Sequence, residues 1–324
     1  MNSLALSDNN CMVSIICSAY NHAKYIRDAL NGFIMQKTTF NFEVLIHDDA
    51  STDGTAEIIK EYEKKYPEII KPIYQIENQY SKHLGLVTRI LKSRTSSKYV
   101  AMCEGDDYWT DPFKLQKQFD FMENNPDYML CGCSTSWLNM LNGKVMNKSK
   151  TKSDRDVTLE ELVFSTNGRV FPFVSFFLRT EIWKNMPNWG FPIGDIPLTY
   201  YAALNGKVRM LADCMCVYRW YADGSWTMRK GNNDKRAKVC EQMIIGLDNV
   251  NAFTAGQYFD VFERGKLHYK YALALMNRDF NALRSTELNE IYKKRDLVHK
   301  MSDYIRCKFP KLYLKLQIIF GRNL

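Results

Sequence analysis

Long apolar runs are missing from this 324-residue chain. Nothing in it approaches the ~20 consecutive apolar residues that would span a bilayer, so no transmembrane helix is expected. The opening "MNSLALSDNN" has neither the charged nor the apolar region of a signal peptide, and residues 1–11 read as a loose tail. No C-x-x-C pair occurs among the nine cysteines, an odd number. Cys131/Cys133 and Cys214/Cys216 are each two apart, which in a strand would place both thiols of a pair on one face. Metal binding is open to them, but buried reduced thiols are the favoured reading, and they fit a reducing, cytoplasmic compartment. Helix-turn-helix, RNP and zinc-finger patterns are absent, so nucleic acid ranks last among the partners that a net charge of +8 and a pI near 8.9 would attract. Anionic membranes and acidic small molecules remain. No G-x-G-x-x-G or Walker A pattern follows the first apolar run, so the phosphates of any bound nucleotide must be neutralised by something other than a glycine-rich nest. His22, His47 and His83 have no metal spacing with one another and read as structural or supporting residues. There is no internal repeat and no low-complexity segment.

What is present is alternation. "MVSIICSAY" (12–20) is a continuous apolar run suited to a strand buried on both faces. A helix follows with Ile26, Leu30 and Phe33 on one side. "FEVLIHDDA" (42–50) is a second strand ending in an Asp pair. In the next helix Ser51, Thr52 or Asp53 supplies the cap, Ile58, Ile59, Tyr62 and Tyr66 the buried stripe, and Pro67 the stop. "IIKPIYQIE" is a third strand, moved toward a sheet edge by its proline. "LGLVTRILKS" is a helix and "KYVAMCEGDD" a fourth strand. Asp111-Pro112 then opens a helix that turns Leu115, Phe119 and Met122 inward. Strand, helix, strand, helix implies crossovers onto a mostly parallel sheet, with ligands bound outside the carboxyl ends of the strands.

From about residue 128 the rhythm shifts to shorter strands, "DYMLCGCSTSW" and "RVFPFVSFFLR", a helix in "GDIPLTYYAALNG", and paired extended runs in "VRMLADCMCVYRW". Helices are expected near 234–252, 256–276, 279–297 and 299–320. The expected organisation is therefore a tail over 1–11, an α/β domain over 12–230 and an all-helical extension over 231–324.

Every acidic cluster falls at the carboxyl end of a strand. Glu104, Asp106 and Asp107 lie within four positions where the fourth strand surfaces, and like charges so close raise one another's pKa unless a cation intervenes. Mg²⁺ or Mn²⁺, hard ions that bridge one or two carboxylates to substrate phosphates, are the natural neutralisers. The alternative is a solvated acidic turn. Gly105 makes a change of direction there feasible, which both aspartates need in order to face one ion.

"VSIICSAYNHAKYIRDAL", "FEVLIHDDASTDGTAEII" and "YVAMCEGDDYWTDPFKLQKQ" together resemble the inverting family 2 glycosyltransferases of the GT-A fold, of bacterial surface-polysaccharide type, over roughly residues 12–226. The resemblance implies that Tyr20 lies against the nucleobase of a nucleotide sugar, UDP-linked by preference, and that Asp49 accepts a hydrogen bond from the base edge while Asp48 fixes the following turn. It implies Asp107 as metal ligand, with Asp106 at the ribose or the metal's water shell. Asp195 of "FPIGDIPLTYY" matches the family's general base, with Gly194 standing where many relatives carry a glutamate. A helix-capping role for Asp195 is compatible with that of base. In "VYRWYADGSW" the family's histidine is replaced by Tyr221, while Arg219 is placed to neutralise the departing diphosphate. Arg229 and Lys230 either join it or form a solvated basic loop.

The expected activity is metal-dependent, inverting transfer of a sugar to a hydroxyl of a saccharide or lipid-linked saccharide, in polysaccharide biosynthesis. A sugar nucleotidyltransferase and a non-catalytic nucleotide-sugar or membrane-surface protein are the alternatives. The basic C-terminal "YIRCKFPKLYLKLQIIFGR", with Leu312, Leu316 and Ile319 at helical spacing, either packs on the preceding helices or lies peripherally on the inner face of the membrane.

Overall fold

β-branched and small apolar residues without a proline make "VSIICSA" a strand, β1 (Val13–Ala19), buried along nearly its whole length. It pairs in parallel with β2 (Phe42–Asp48) and with β4 (Tyr99–Met102), and β2 pairs in parallel with β3 (Ile70–Tyr74). Between them run α1 (Ile26–Ile34), α2 (Thr55–Lys65), the short α3 (Gln79–Lys82) and α4 (Leu86–Arg94). The proline-bearing β3 does form the sheet edge. The computed structural model describes residues 11–82, 85–165, 170–225, 228, 233–310 and 312–313.

After β4 come β5 (Tyr108–Trp109), α5 (Lys114–Asn124), β6 (Tyr128–Asn139), β7 (Val145–Ser149), β8 (Arg155–Asp156), α6 (Leu159–Phe164), β9 (Phe177–Arg179), α7 (Thr180–Asn185), α8 (Asp195–Asn205) and β10 (Lys207–Trp220). The order across the sheet is β3-β2-β1-β4-β9-β6-β10-β5, with β7 beside β6 and β8 beside β10. The first half is parallel and the second mixed, since β9 runs antiparallel to β4 and β6 while β10 runs parallel to β6. One core joins Val13, Ile15 and Cys17 of β1 with Val44 and Ile46 of β2, Leu30 and Phe33 of α1, and Leu115 and Met122 of α5.

Several local expectations are corrected. "VRMLADCMCVYRW" lies within one 14-residue strand, β10, and is not two paired runs; register shifts occur around Cys214. Those bulges leave Cys214 exposed and Cys216 buried, so this pair does not share a face. Cys216 instead lies 3.5 Å, sulfur to sulfur, from Cys133. The residue before α2 is Gly54 at φ 97°, and no side chain caps the helix there, although Asp53 accepts from the Thr55 amide at 3.0 Å. α5 begins at Lys114, and Asp111 accepts from the Phe113 amide just ahead of it.

The chain forms two compact units, residues 1–186 with 198–229, and residues 187–197 with 230–324. The second contains α9 (Asn233–Phe253), α10 (Phe259–Met276), α11 (Phe280–Leu283), α12 (Asn289–Lys294) and α13 (Leu297–Lys308). The helix expected over 279–297 is therefore two short ones. The segment 187–197 packs on α9: the Asn249 side chain donates to the Trp189 carbonyl, and Gly246 admits the Phe191 ring, which a Cβ there would meet at 2.7 Å. No helix among the described residues is long and apolar enough to cross a membrane.

Candidate active site

β2, β1 and β4 run in parallel, so their carboxyl ends open on one edge of the sheet. The register sets Ala19 beside Asp48, and the Gly105 amide donates to the Ser18 carbonyl, which brings the turn after β4 against the end of β1. Gly105 has an unremarkable φ. It is needed for room, because a Cβ there would lie 2.8 Å from His22 Nδ1 and 3.2 Å from the Ala19 Cβ.

At the end of β2 the two aspartates divide their work. Asp48 accepts from the Ser51 amide at 3.2 Å, fixing the turn as expected. Asp49 accepts from the Gln79 and Tyr80 amides, one on each oxygen, at 2.7 and 3.0 Å, and so anchors the start of α3. Tyr20, exposed, closes β1, and Asn21 beyond it adopts φ 56°. The amides of Asn21, His22 and Ala23 donate to Ser51 Oγ, Thr55 Oγ1 and Asp53 Oδ2 at 2.8–2.9 Å. Those three amides are thereby committed to protein, which leaves no phosphate nest in this loop. His47, fully buried one residue before the pair, has no hydrogen-bond partner on either ring nitrogen.

At the end of β4, Asp106 and Asp107 are both buried. Burial first, then the neighbouring Asp106 carboxylate, push the Asp107 carboxyl well above its usual range, against the pull of the Arg219 amide. Cys17 on β1 lies in the same negative field: burial, then Glu104, Asp106 and Asp107, drive its thiol upward.

Arg219, on the last turn of β10, grips this turn. Its amide donates to Asp107 Oδ1 at 2.7 Å, its Nη1 to the Asp106 carbonyl at 2.9 Å, and its Nη2 to Asp28 on α1. The guanidinium also lies 4.4 Å from the Tyr108 ring centroid and 5.2 Å from that of Tyr25. The Arg219 guanidinium is thus shared among the Asp106 carbonyl, the Asp28 carboxylate and two rings. Asp28, Tyr25 and Tyr108 were not singled out by sequence. Asp28 lies 191 positions from Arg219, and no local pattern links them. Beneath the turn, Trp109 donates to the Val174 carbonyl at 3.0 Å, while fully buried Lys114 donates to Gln118 at 2.6 Å with its ammonium 4.1 Å from the indole centroid.

Among the described residues no three His, Cys, Asp or Glu side chains converge as a metal cage. Two buried carboxylates, one with its ionised form disfavoured, fit instead a hard cation that completes its shell with substrate phosphates. Asp195 is buried and opens α8 from the second unit, its Oδ1 accepting from the Ile196 amide at 2.9 Å. Within that unit, burial and then Cys240 and Asp195 push the Tyr269 hydroxyl up to about 12. Tyr221 takes φ 64° just after β10. His83, Arg229, Lys230, Leu316 and Ile319 lie outside the described residues.

A strand-end aspartate pair on a parallel sheet that turns mixed in its second half defines the GT-A architecture of nucleotide-diphospho-sugar transferases. S. aureus TarS (residues 1–349) in complex with UDP-GlcNAc shares it at a TM-score of 0.58 and 20% identity, over 91% of this chain and 79% of that one. The Pyrobaculum calidifontis mannosyltransferase PcManGT, solved with GDP-Man and Mn²⁺, does so at 0.55 and 14%, over 96% and 87%. The family model described as "Glycosyl transferase family 2" matches residues 14–185, just over half of the chain, and the chain belongs to that family. An uncharacterized Mycobacterium tuberculosis protein is 34% identical over 223 residues, 66% of this chain and 60% of that protein. This chain therefore spans less than two thirds of that relative's length. Escherichia coli WfaP, a UDP-Glc:alpha-D-GlcNAc-diphosphoundecaprenol beta-1,3-glucosyltransferase, is 33% identical over 112 residues, 35% of this chain and 41% of its own.

Proposed function

We propose that this chain is a metal-dependent, inverting glycosyltransferase. It would move a sugar from a nucleotide donor, a UDP-sugar by preference, to a hydroxyl of a saccharide or lipid-linked saccharide, in the cytoplasmic assembly of a surface polysaccharide. The observation that carries the reading is the buried Asp106–Asp107 turn, held by Arg219, with the Asp107 carboxyl driven upward by burial and by Asp106. Family membership supports it, as do the UDP-GlcNAc and GDP-Man bound in the structural neighbours and the lipid-linked acceptor in the WfaP name.

Mn²⁺ or Mg²⁺ held by Asp107, with Asp106 beside it, would supply positive charge for the diphosphate as it departs. The Tyr20 ring offers the nucleobase a stacking face. Asp49 keeps acceptor capacity for a base-edge N–H, because each oxygen has two lone pairs and α3 uses one. Arg219 holds the acidic turn in place. Asp195 takes the proton of the acceptor hydroxyl, which attacks the anomeric carbon opposite the leaving group. One displacement inverts the configuration and needs no covalent nucleophile. The nucleotidyltransferase alternative loses ground because the amides of residues 21–23 are already bound.

The test is transfer and donor hydrolysis by the wild type and Asp195→Asn, with and without Mn²⁺, while donor binding is followed by thermal shift over a set of nucleotide sugars. Asp195→Asn is expected to retain donor binding and lose roughly 10²–10⁴-fold in transfer. The catalytic reading falls if donor binds and turnover is indifferent to Asp195.

A further inference from the structure

The second unit carries a feature that the transfer reaction does not use. α13 turns Asp303 and Cys307 inward, onto a cluster with Tyr271, Ala274, Leu283 and Leu288. Away from that face, Leu297, Val298 and Met301 are 77%, 66% and 59% exposed, and Tyr304, 42% exposed, stands edge-on to Phe280 with ring centroids 5.1 Å apart. Their spacing of i, i+1, i+4 and i+7 makes them one outward row, not scattered surface apolar residues.

The charge around the row is one-sided. Between residues 290 and 310 the sequence has six Lys and Arg against three Asp and Glu. Two of the three acids are consumed locally. Asp303 is buried between the Tyr271 hydroxyl at 2.6 Å and Arg295 Nε at 2.7 Å, and Asp296 caps α13 by accepting from the His299 amide at 2.8 Å. Lys308, exposed at the helix end, holds its ammonium 6.0 Å from the Phe280 ring centroid.

We infer that the outer face of α13 docks on an anionic phospholipid surface, with Leu297, Val298, Met301 and Tyr304 entering the headgroup boundary and the surrounding lysines and arginines meeting lipid phosphate. An apolar row inside a cationic field is complementary to such a surface, and neither water nor a neutral protein groove matches both features. The row begins at Leu297, fifteen positions before the Leu312 that the sequence pattern singled out.

The experiment is flotation of the full chain with phosphatidylcholine vesicles, with and without about one third phosphatidylglycerol. The wild type should float with anionic vesicles and stay behind with neutral ones, and salt raised to about 1 M, where the Debye length is ~3 Å, should release most of it. Val298→Asp/Met301→Asp should reduce recovery at least tenfold, and Lys293→Glu/Lys294→Glu several-fold. Both variants should keep the wild-type circular-dichroism melt, because all four side chains are exposed. Equal flotation of wild type and Val298→Asp/Met301→Asp overturns the inference, as does equal binding to neutral and anionic vesicles. A wild-type dimer by light scattering that Val298→Asp/Met301→Asp dissociates also overturns it, assigning the row to a second copy. Donor turnover in vesicle-free buffer with a soluble acceptor reads the transferase separately, so either conclusion can fail alone.

Discussion

Two aspartate pairs stand at the same edge of the sheet, and their surroundings differ. Asp48 and Asp49, at the end of β2, receive three backbone N–H groups between them, from Ser51, Gln79 and Tyr80. Asp107, at the end of β4, receives one, from Arg219, while burial and Asp106 drive its carboxyl upward. Identical dipeptides in sequence thus sit in different surroundings: the first anchors the turn and helix that follow it, the second is buried with the ionised form of one carboxyl disfavoured.

The strongest way to break this comparison is Asp107→Asn. The amide keeps an oxygen for the Arg219 N–H and removes a disfavoured buried charge. Transfer should fall by about 10³-fold or more, while the donor-free melting temperature should rise, by an increment equivalent to ~1–3 kcal/mol. Kinetics and a thermal melt on one preparation read both, and a lower melting temperature with activity retained would reverse the assignment.

Next in size is Arg219→Met, which leaves the Asp106 carbonyl and Asp28 without their shared partner. Removing one member of a buried pair costs about 3–5 kcal/mol, and because Asp28 is half exposed about 2–3 kcal/mol is expected here by chemical denaturation. Turnover should drop with it, and Arg219→Lys should restore little, since a single ammonium cannot bridge both partners and the two rings.

What the sequence made legible, and what it hid, follows from how far each signal reaches. β1, β2, β4, α1 and α2 were readable because period and punctuation are local. So was the placement of both aspartate pairs, each closing an apolar run. The two-residue β5, the three-residue β9 and the bulges around Cys214 have too few residues for a period to show. The clamp of Asp28, Tyr25, Tyr108 and Arg219 exists only once β10 has crossed the sheet. Lys114 and Gln118 lay on the inward face of α5 beside Leu115 and Met122, but a polar pattern marked them as surface.

A smaller effect sharpens the comparison from beside Asp48 and Asp49. His47 is buried, and burial lowers its pKa despite the opposing charges of Asp49 and Asp48. The unfolded state therefore takes up this proton first, near pH ~6.5. The stability associated with a neutral His47 is complete above that pH and is lost as pH falls below it, at up to ~1.4 kcal/mol per pH unit. His47→Leu should flatten that part of the profile in urea titrations between pH 7 and 5, and should be neutral or stabilising at pH 7, since it removes two buried nitrogens without partners. The smallest change expected is from Asp49→Ala, about 1 kcal/mol for loss of the α3 anchor, with a melting shift opposite in sign to that of Asp107→Asn.

The three amides pinned by Ser51, Thr55 and Asp53 have a kinetic consequence. A surface loop normally trades its hydrogens with solvent within seconds, yet Asn21, His22 and Ala23 can do so only when the segment after β2 lets go of them together. In deuterium these positions should therefore form a slow island between faster neighbours, with one common opening rate, so that this edge of the sheet behaves as a single stiff lip.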